Sequence, residues 1–198
     1  MIGRSIAVVG IAVGLLASGV DAQTPPGQLV AALKDGGCVL VMRHAQAPRE
    51  VPTREQANRD NPGLERQLDE GGRRGAAGFG DAVRRLGIPI GAVLSSPTYR
   101  ARETVTYAGL AKPTLVDELG DGGQGAIEAQ ASWLRAKAFE IPKSGNVLIV
   151  THAQNIARAF PESAPDMAEG EILVLRPNGK SGAAVMRRVR IEEWPELR

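Results

Sequence analysis

Val39-Leu40-Val41-Met42 runs into Arg43-His44-Ala45-Gln46, and Val147-Leu148-Ile149-Val150 runs into Thr151-His152-Ala153-Gln154. Each is an apolar stretch of strand length that ends abruptly in a polar residue, a histidine and Ala-Gln. Uninterrupted apolar runs of this kind suit strands buried on both faces, as in parallel sheets. Open α/β sheets bind ligands beyond the carboxyl ends of their strands. The chain has only 2 histidines, and this pattern delivers both to one edge of one sheet. A functional site is expected there.

The rest of the chain supplies helices around such a sheet. A short helix is expected over 28–34, stopped by Gly36-Gly37. Residues 45–68 are polar, rich in Arg, Pro and Asn, and have no clean period, which predicts a long loop beside the first histidine; such loops are often functional. Over 69–86, Ala76, Phe79, Val83 and Leu86 recur at helical spacing and predict an amphipathic helix. A strand at 90–94 leads into Ser95-Ser96-Pro97, where Ser96 as N-cap and Pro97 at the first helical position would start a helix running to about Ala108. A short strand near 113–116 precedes Glu118 and a Gly-rich turn from Gly120 to Gly125. A helix over 126–139 carries Ile127, Ala131, Leu134 and Ala138 on one face, and another is expected over 154–160. Residues 171–176 and 183–191 read as a closing hairpin around Asn178-Gly179, the favoured two-residue turn. Strands alternating with helices imply an α/β fold, a three-layer α/β/α sandwich with a mostly parallel sheet. The hairpin would add antiparallel strands at its C-terminal edge.

Residues 1–22 read as a secretory signal peptide rather than as part of this fold. Arg4 is basic, residues 6–17 are apolar, and Val20-Asp21-Ala22 offers small residues before Gln23. The apolar run is short of the ~20 residues a bilayer span needs, so no stable membrane insertion is expected once it is removed. A periplasmic or secreted protein is expected, with residues 23–198 as one domain. Lys+Arg (24) nearly balance Asp+Glu (22), so no global field argues for a nucleic-acid partner. The lone Cys38 lies within the first apolar run. One cysteine and two histidines match no structural zinc spacing, so no metal is expected.

Arg43-His44, the segment Ser95-Ser96-Pro97-Thr98-Tyr99-Arg100-Ala101-Arg102-Glu103-Thr104, Leu68-Asp69-Glu70-Gly71-Gly72-Arg73 and the late His152 together resemble the smaller branch of the histidine phosphatase superfamily, the phosphoglycerate-mutase-like proteins. The resemblance runs from about Cys38 to Trp194. It implies that His44 takes the phosphoryl group as phosphohistidine, that Arg43, Arg100 and His152 bind the phosphate, and that a Glu after the second arginine, here Glu118, protonates the leaving group. Asp117 is the immediate competitor of Glu118.

The residue chemistry is compatible with those roles. A phosphomonoester dianion repels anionic nucleophiles, and a neutral imidazole does not. Planar guanidinium forks match phosphate oxygens bidentately and offset the charge of the transition state. Taken singly, a histidine at a strand end is usually a surface or structural residue. Arg102 rivals Arg100, but two helical positions rotate it by roughly 200°, which suits a solvated or loop-binding charge. Arg49, Arg54, Arg59 and Arg66 crowd the long loop, and the sequence does not select among them. Ala45 stands where the family usually has Gly, which is expected to narrow the pocket floor or shift the histidine. Ala153-Gln154-Asn155 replaces the small glycines often found after the second histidine. The leading expectation is an exported phosphomonoesterase acting on a small phosphorylated substrate without a metal or organic cofactor. A phosphate-binding protein of weak or no activity is the alternative, and a phosphomutase a further one.

Overall fold

In the computed structural model, which describes residues 23–121, 127–179 and 182–198, the two apolar runs become neighbouring strands at the centre of the sheet. β1 (Val39–Arg43) and β4 (Asn146–Thr151) pair in parallel, from Val39 opposite Val147 to Arg43 opposite Thr151. The ladder extends one residue further, where the His44 N–H donates to the Thr151 carbonyl at 3.0 Å. This register sets the two histidines side by side. The six-stranded sheet has the order β3-β2-β4-β1-β5-β6, with β2 at Ile90–Ser95, β3 at Thr114–Leu115, β5 at Ile172–Pro177 and β6 at Ala183–Val189. β3, β2, β4 and β1 run parallel, and β5 and β6 are the antiparallel additions.

The period-2 alternation of a strand distributes the apolar runs between two cores. Leu40, Met42, Leu148 and Val150 face a core built with Leu29 and Leu33 of α1 (Pro26–Asp35), Phe79 and Val83 of α2 (Glu70–Arg85), and Ala101 and Val105 of α3 (Tyr99–Ala108). Val39, Val41 and Ile149 face the other, with Leu134 and Ala138 of α4 (Ile127–Phe139) and Ile156 of α5 (Ala153–Ala159). This is the three-layer α/β/α sandwich, with the C-terminal antiparallel hairpin of β5 and β6 at one side of the sheet. Each fully buried aliphatic side chain contributes roughly 1.5–3 kcal/mol. Truncating Leu40 to Ala on the central strand is therefore expected to cost about 2–5 kcal/mol.

Several local expectations are corrected. Ser96 does not cap α3; the helix starts at Tyr99 after Thr98, which makes no side-chain cap. The first N–H of the helix instead donates to the Glu65 carboxylate at 2.8 Å, reaching across from the long loop. After β3, the acid pair Asp117 and Glu118 lies in a one-turn 3₁₀ helix, Asp117–Leu119. The closing hairpin is not a two-residue turn: Pro177 pairs with Ala183, and Asn178 N–H donates to Gly182 O at 3.1 Å. Lys180 lies outside the described residues, as do 122–126 of the Gly-rich turn and the expected leader at 1–22.

The last element has no periodic signal in the sequence. Ile191–Glu196 forms a 3₁₀ helix that packs on α2, with Trp194 fully buried edge-on against Phe79, ring centroids 4.8 Å apart. Among the described residues, no helix is long and apolar enough to cross a membrane.

The long loop lacks regular structure but is held by named side chains. The Leu68 N–H donates to Glu103 Oε2 (2.6 Å), and Asn58 donates through its amide to Glu103 Oε1 (2.8 Å) and Tyr99 Oη (3.1 Å). Glu103 and Tyr99 are on α3, so the helix that carries Arg100 also shapes the loop beside His44. Burial raises the Glu103 pKa, opposed by its hydrogen bond from Leu68. Burial and the hydrogen bond to Asp60 raise that of Tyr99 to about 12.

Candidate active site

Beyond the carboxyl edge of the sheet, His44 and His152 face each other with ring centroids 5.3 Å apart. Arg100 lies between them. Its Nε donates to His44 Nε2 at 3.1 Å, and its Nη2 donates to His152 Nδ1 at 3.1 Å. Arg100 occupies the first turn of α3, and the next turn supports it: Thr104 Oγ1 donates to the Arg100 carbonyl (2.8 Å) and accepts from the Ala45 N–H (3.0 Å). One threonine thus ties the helix carrying Arg100 to the residue after His44.

Hydrogen bonding fixes the tautomer of each imidazole. His44 Nδ1 lies 2.8 Å from the Ala45 carbonyl, which only accepts, so Nδ1 carries the hydrogen and Nε2 keeps its lone pair. His152 Nδ1 accepts from the guanidinium, so its hydrogen is on Nε2, 3.0 Å from Ser96 Oγ. Ser96 Oγ in turn accepts from the Thr98 N–H and donates to Thr98 Oγ1. Ser96, expected as a helix cap, instead orients the second histidine.

Both histidines are neutral. Burial is the main cause, and it lowers the His44 pKa to about 2, with further lowering from His152, Arg100 and Arg43 against the opposing Ala45 hydrogen bond. Burial and Arg100 lower that of His152 to about 3, with Asp121 pulling the other way. A charged imidazole here would sit desolvated among guanidinium groups.

Arg43 ends β1 beside His44, but its guanidinium is turned to the segment before β5. Nη1 donates to the Met167 carbonyl at 2.8 Å and Nη2 pairs with Glu169 at 3.1 Å. Its Nε is buried without a hydrogen-bond partner among the described residues. Arg66 joins this group: its head donates to the Pro48 and Ala47 carbonyls, both at 2.6 Å, and lies 3.8 Å from Glu169. Its charge also helps to lower the His152 pKa. Of the loop arginines, Arg66 is brought to the site, and Arg49 lines the cavity beside Arg43 and Glu169. Arg102 lies over the Tyr99 ring, 5.3 Å from its centroid.

The acids are arranged differently from expectation. Asp117 and Glu118 are both exposed. The carboxylate in contact with the site is Asp121, whose Oδ2 is 2.8 Å from Arg100 Nη2. The hydrogen bond and charge of Arg100 lower the Asp121 pKa, against its partial burial. The backbone of this segment is fastened to the β4–α5 junction: Thr151 Oγ1 donates to Leu119 O (2.9 Å), Asn155 Nδ2 to Gly120 O (2.5 Å) and Gln154 Nε2 to Asp121 O (2.5 Å). The Gln-Asn that follows His152 therefore has a structural use.

Two glycines are required around His44. A Cβ on Gly72 would lie 2.1 Å from the Gln46 carbonyl, so α2 could not begin against the His44 exit with any larger residue. Gly170 has φ +77° and donates its N–H to the His44 carbonyl at 2.9 Å. Ala45 needs no such freedom, because its φ is not positive. Its methyl is fully buried in a small cluster with Ala47, Leu68 and Ala76. Among the described residues no group of three or more His, Cys, Asp or Glu side chains is placed to hold a metal.

Comparison with known proteins gives a consistent result. The fold is similar to the protein histidine phosphatase SixA complexed with tungstate, with a TM-score of 0.60 and 17% identity over 79% of this chain and 98% of that one. It is also similar to a phosphoserine phosphatase mutant from Entamoeba histolytica in complex with phosphoserine, with a TM-score of 0.55 and 12% identity over 78% of this chain and 98% of that one. No curated protein matches the sequence. The family model described as histidine phosphatase superfamily (branch 1) matches residues 39–140, just over half of the chain. With its sheet order and paired strand-end histidines in place, the chain belongs to the histidine phosphatase superfamily, branch 1.

Proposed function

We propose that the protein is an exported phosphomonoesterase that works through a phosphohistidine on His44. The observation that carries this reading is the Arg100 guanidinium bridging His44 Nε2 and His152 Nδ1. It marks the place where a phosphoryl group would meet a nucleophile and donors together. His44 is neutral at any physiological pH, its Nδ1 hydrogen is held by Ala45, and its Nε2 lone pair is the attacking one. Attack forms the Nε2–P bond and breaks the P–O bond to the alcohol; water then attacks phosphorus, breaks the Nε2–P bond and releases phosphate. Arg100 is the donor that would meet the equatorial oxygens, worth a few kcal/mol, and Arg43 and Arg66, held by Met167, Glu169, Ala47 and Pro48, add positive charge nearby. A dianion beside His152 favours its protonation on Nδ1, which turns that nitrogen from acceptor to donor. With Arg100 in place and the charges of Arg43 and Arg66 close by, the reading needs no metal ion or organic cofactor. The leaving alkoxide needs a proton; the resemblance implies Glu118 for this, a side chain the fold leaves exposed.

Rapid-quench labelling with a generic phosphomonoester should leave an acid-labile phosphoryl group on the protein, and His44→Ala should remove it. Absence of both labelling and turnover between about pH 4 and 8, the range of carboxylate and imidazole titration, would sink the enzyme reading. Export is tested by cell fractionation and by sequencing the mature N-terminus, expected at Gln23. A second reading has one specific observation behind it: Glu118, the acid the resemblance implies, is exposed, as suits a protein that binds phosphate without turning it over. Inorganic phosphate bound at micromolar concentration with no hydrolysis of any ester would favour that reading.

A further inference from the structure

We propose that Asp121, rather than Glu118, is the general acid of this site, and that it is armed when the substrate phosphoryl group takes Arg100 from it. The inference rests on the phosphatase reading above. Arg100 Nη2 is shared by His152 Nδ1 and Asp121 Oδ2, and its Nε faces His44. A phosphoryl group attacked by His44 Nε2 must draw on the same guanidinium face, so it competes with the carboxylate for Nη2. The two partners are unequal in mobility. The Arg100 side chain is 8% exposed and held from both sides, whereas that of Asp121 is 44% exposed.

The backbone beneath Asp121 stays in place, because Thr151, Gln154 and Asn155 each donate to one of its three successive carbonyls. The displaced carboxylate therefore remains at the rim of the site. It has lost its cation and gained a dianion as neighbour, and both changes favour its protonated form. The proton then has a use. As the Nε2–P bond forms and the P–O bond breaks, the Asp121 carboxyl gives its proton to the leaving oxygen and yields the alcohol. In the second half, the Asp121 carboxylate takes a proton from the water that attacks phosphorus, and His44 leaves with its lone pair. The acid is thereby restored. Gln154 and Asn155 are positioning residues in this scheme, acting through the backbone of the acid's loop.

General acid catalysis matters most when the leaving group is poor. The test measures full-chain wild type, Asp121→Asn, Asp121→Glu, Gln154→Ala and Glu118→Gln with glycerol phosphate and with 4-nitrophenyl phosphate. Asp121→Asn is expected to slow the alkyl ester about 100-fold or more beyond its effect on the aryl ester. Asp121→Glu should recover part of that loss, and Gln154→Ala should show the same selective loss several-fold. Asp121→Asn should also bind inorganic phosphate more tightly by calorimetry, since a competitor for Arg100 is gone. Equal slowing of the two esters by Asp121→Asn, or the selective loss appearing in Glu118→Gln instead, overturns the proposal while leaving the phosphatase reading intact. Wild type that turns over neither ester overturns both.

Discussion

At the end of β1, His44 gives its hydrogen to the adjacent Ala45 carbonyl and turns a lone pair toward Arg100; at the end of β4, His152 gives its hydrogen to Ser96 and accepts from the same guanidinium. Both residues are buried, neutral and preceded by a strand of four aliphatic residues, yet their ring nitrogens are wired in opposite order. His44 is oriented by backbone one residue away, and Nε2 is left reactive. His152 is oriented by a serine side chain 56 positions away in sequence. Repeated sequence builds the two strands, and the unrepeated surroundings divide the roles. On the proposed reading, nucleophile and clamp are distinguished by which nitrogen is committed to the protein, more than by burial or charge.

The largest expected effect tests that division directly. His44→Ala should abolish phosphoryl labelling and lower turnover by on the order of 10⁴-fold or more, as for other covalent nucleophiles. His152→Ala should lower turnover by about 10²–10³-fold, the scale of one lost transition-state donor, and still label. Labelling that survives in His44→Ala and vanishes in His152→Ala would reverse the assignment. Arg100→Gln should weaken both histidines together, with turnover falling by roughly 10³-fold. Because the Arg100 charge lowers both imidazole pKa values, both should rise in that variant, as read by NMR of the ring protons.

The next effect concerns stability. Each histidine has a folded pKa far below its unfolded value near 6.5, so the unfolded chain takes up protons first as pH falls. The contribution is fully present above about pH 6.5 and is lost on acidification below it, at up to about 1.4 kcal/mol per histidine per pH unit. Between pH 7.5 and 5.5, denaturant unfolding should show wild type losing about 3 kcal/mol more than a His44→Gln/His152→Gln double variant. A smaller effect is expected from Ala45→Gly, which removes a buried methyl and adds backbone freedom, at a cost of about 1 kcal/mol. Its phosphate affinity should stay within twofold by calorimetry. A larger change in affinity would mean that Ala45 shapes the pocket floor after all.

The parts legible in the sequence are those with a period. The apolar runs at 39–42 and 147–150 are central strands, and the 3.6-residue pattern over 69–86 is α2, capped by Asp69 accepting from the Gly72 N–H. His44, Arg100 and His152, named from strand ends and motif, are brought within hydrogen-bonding distance. Loops broke the reading. Asp121 sits in a Gly-rich turn without periodicity, and its contact with Arg100 depends on Gln154 and Asn155 in a different element. Arg66 could not be told from Arg49, Arg54 and Arg59, because only tertiary anchoring to Ala47 and Pro48 selects it. Ser96 looked like a cap because Ser-Pro is a strong local signal, and here Glu65, 34 residues away, supplies the cap to the Tyr99 N–H. Trp194 carried no pattern at all, since its partner Phe79 lies on a helix far earlier in the chain.

The pairing of β1 with β4 has a consequence for how the molecule comes into being. The Cys38 N–H, just before β1, donates to Asn146 Oδ1 at the start of β4, 108 positions away, and a sheet whose central pairing is this non-local closes slowly. Until β4 has been synthesised and docked, His44 has no Thr151 carbonyl to fix its backbone and no second imidazole across from it. Every segment between them must already be threaded around the sheet. On the proposed reading, a nascent or half-folded chain is chemically silent, and a turnover measurement counts completed molecules.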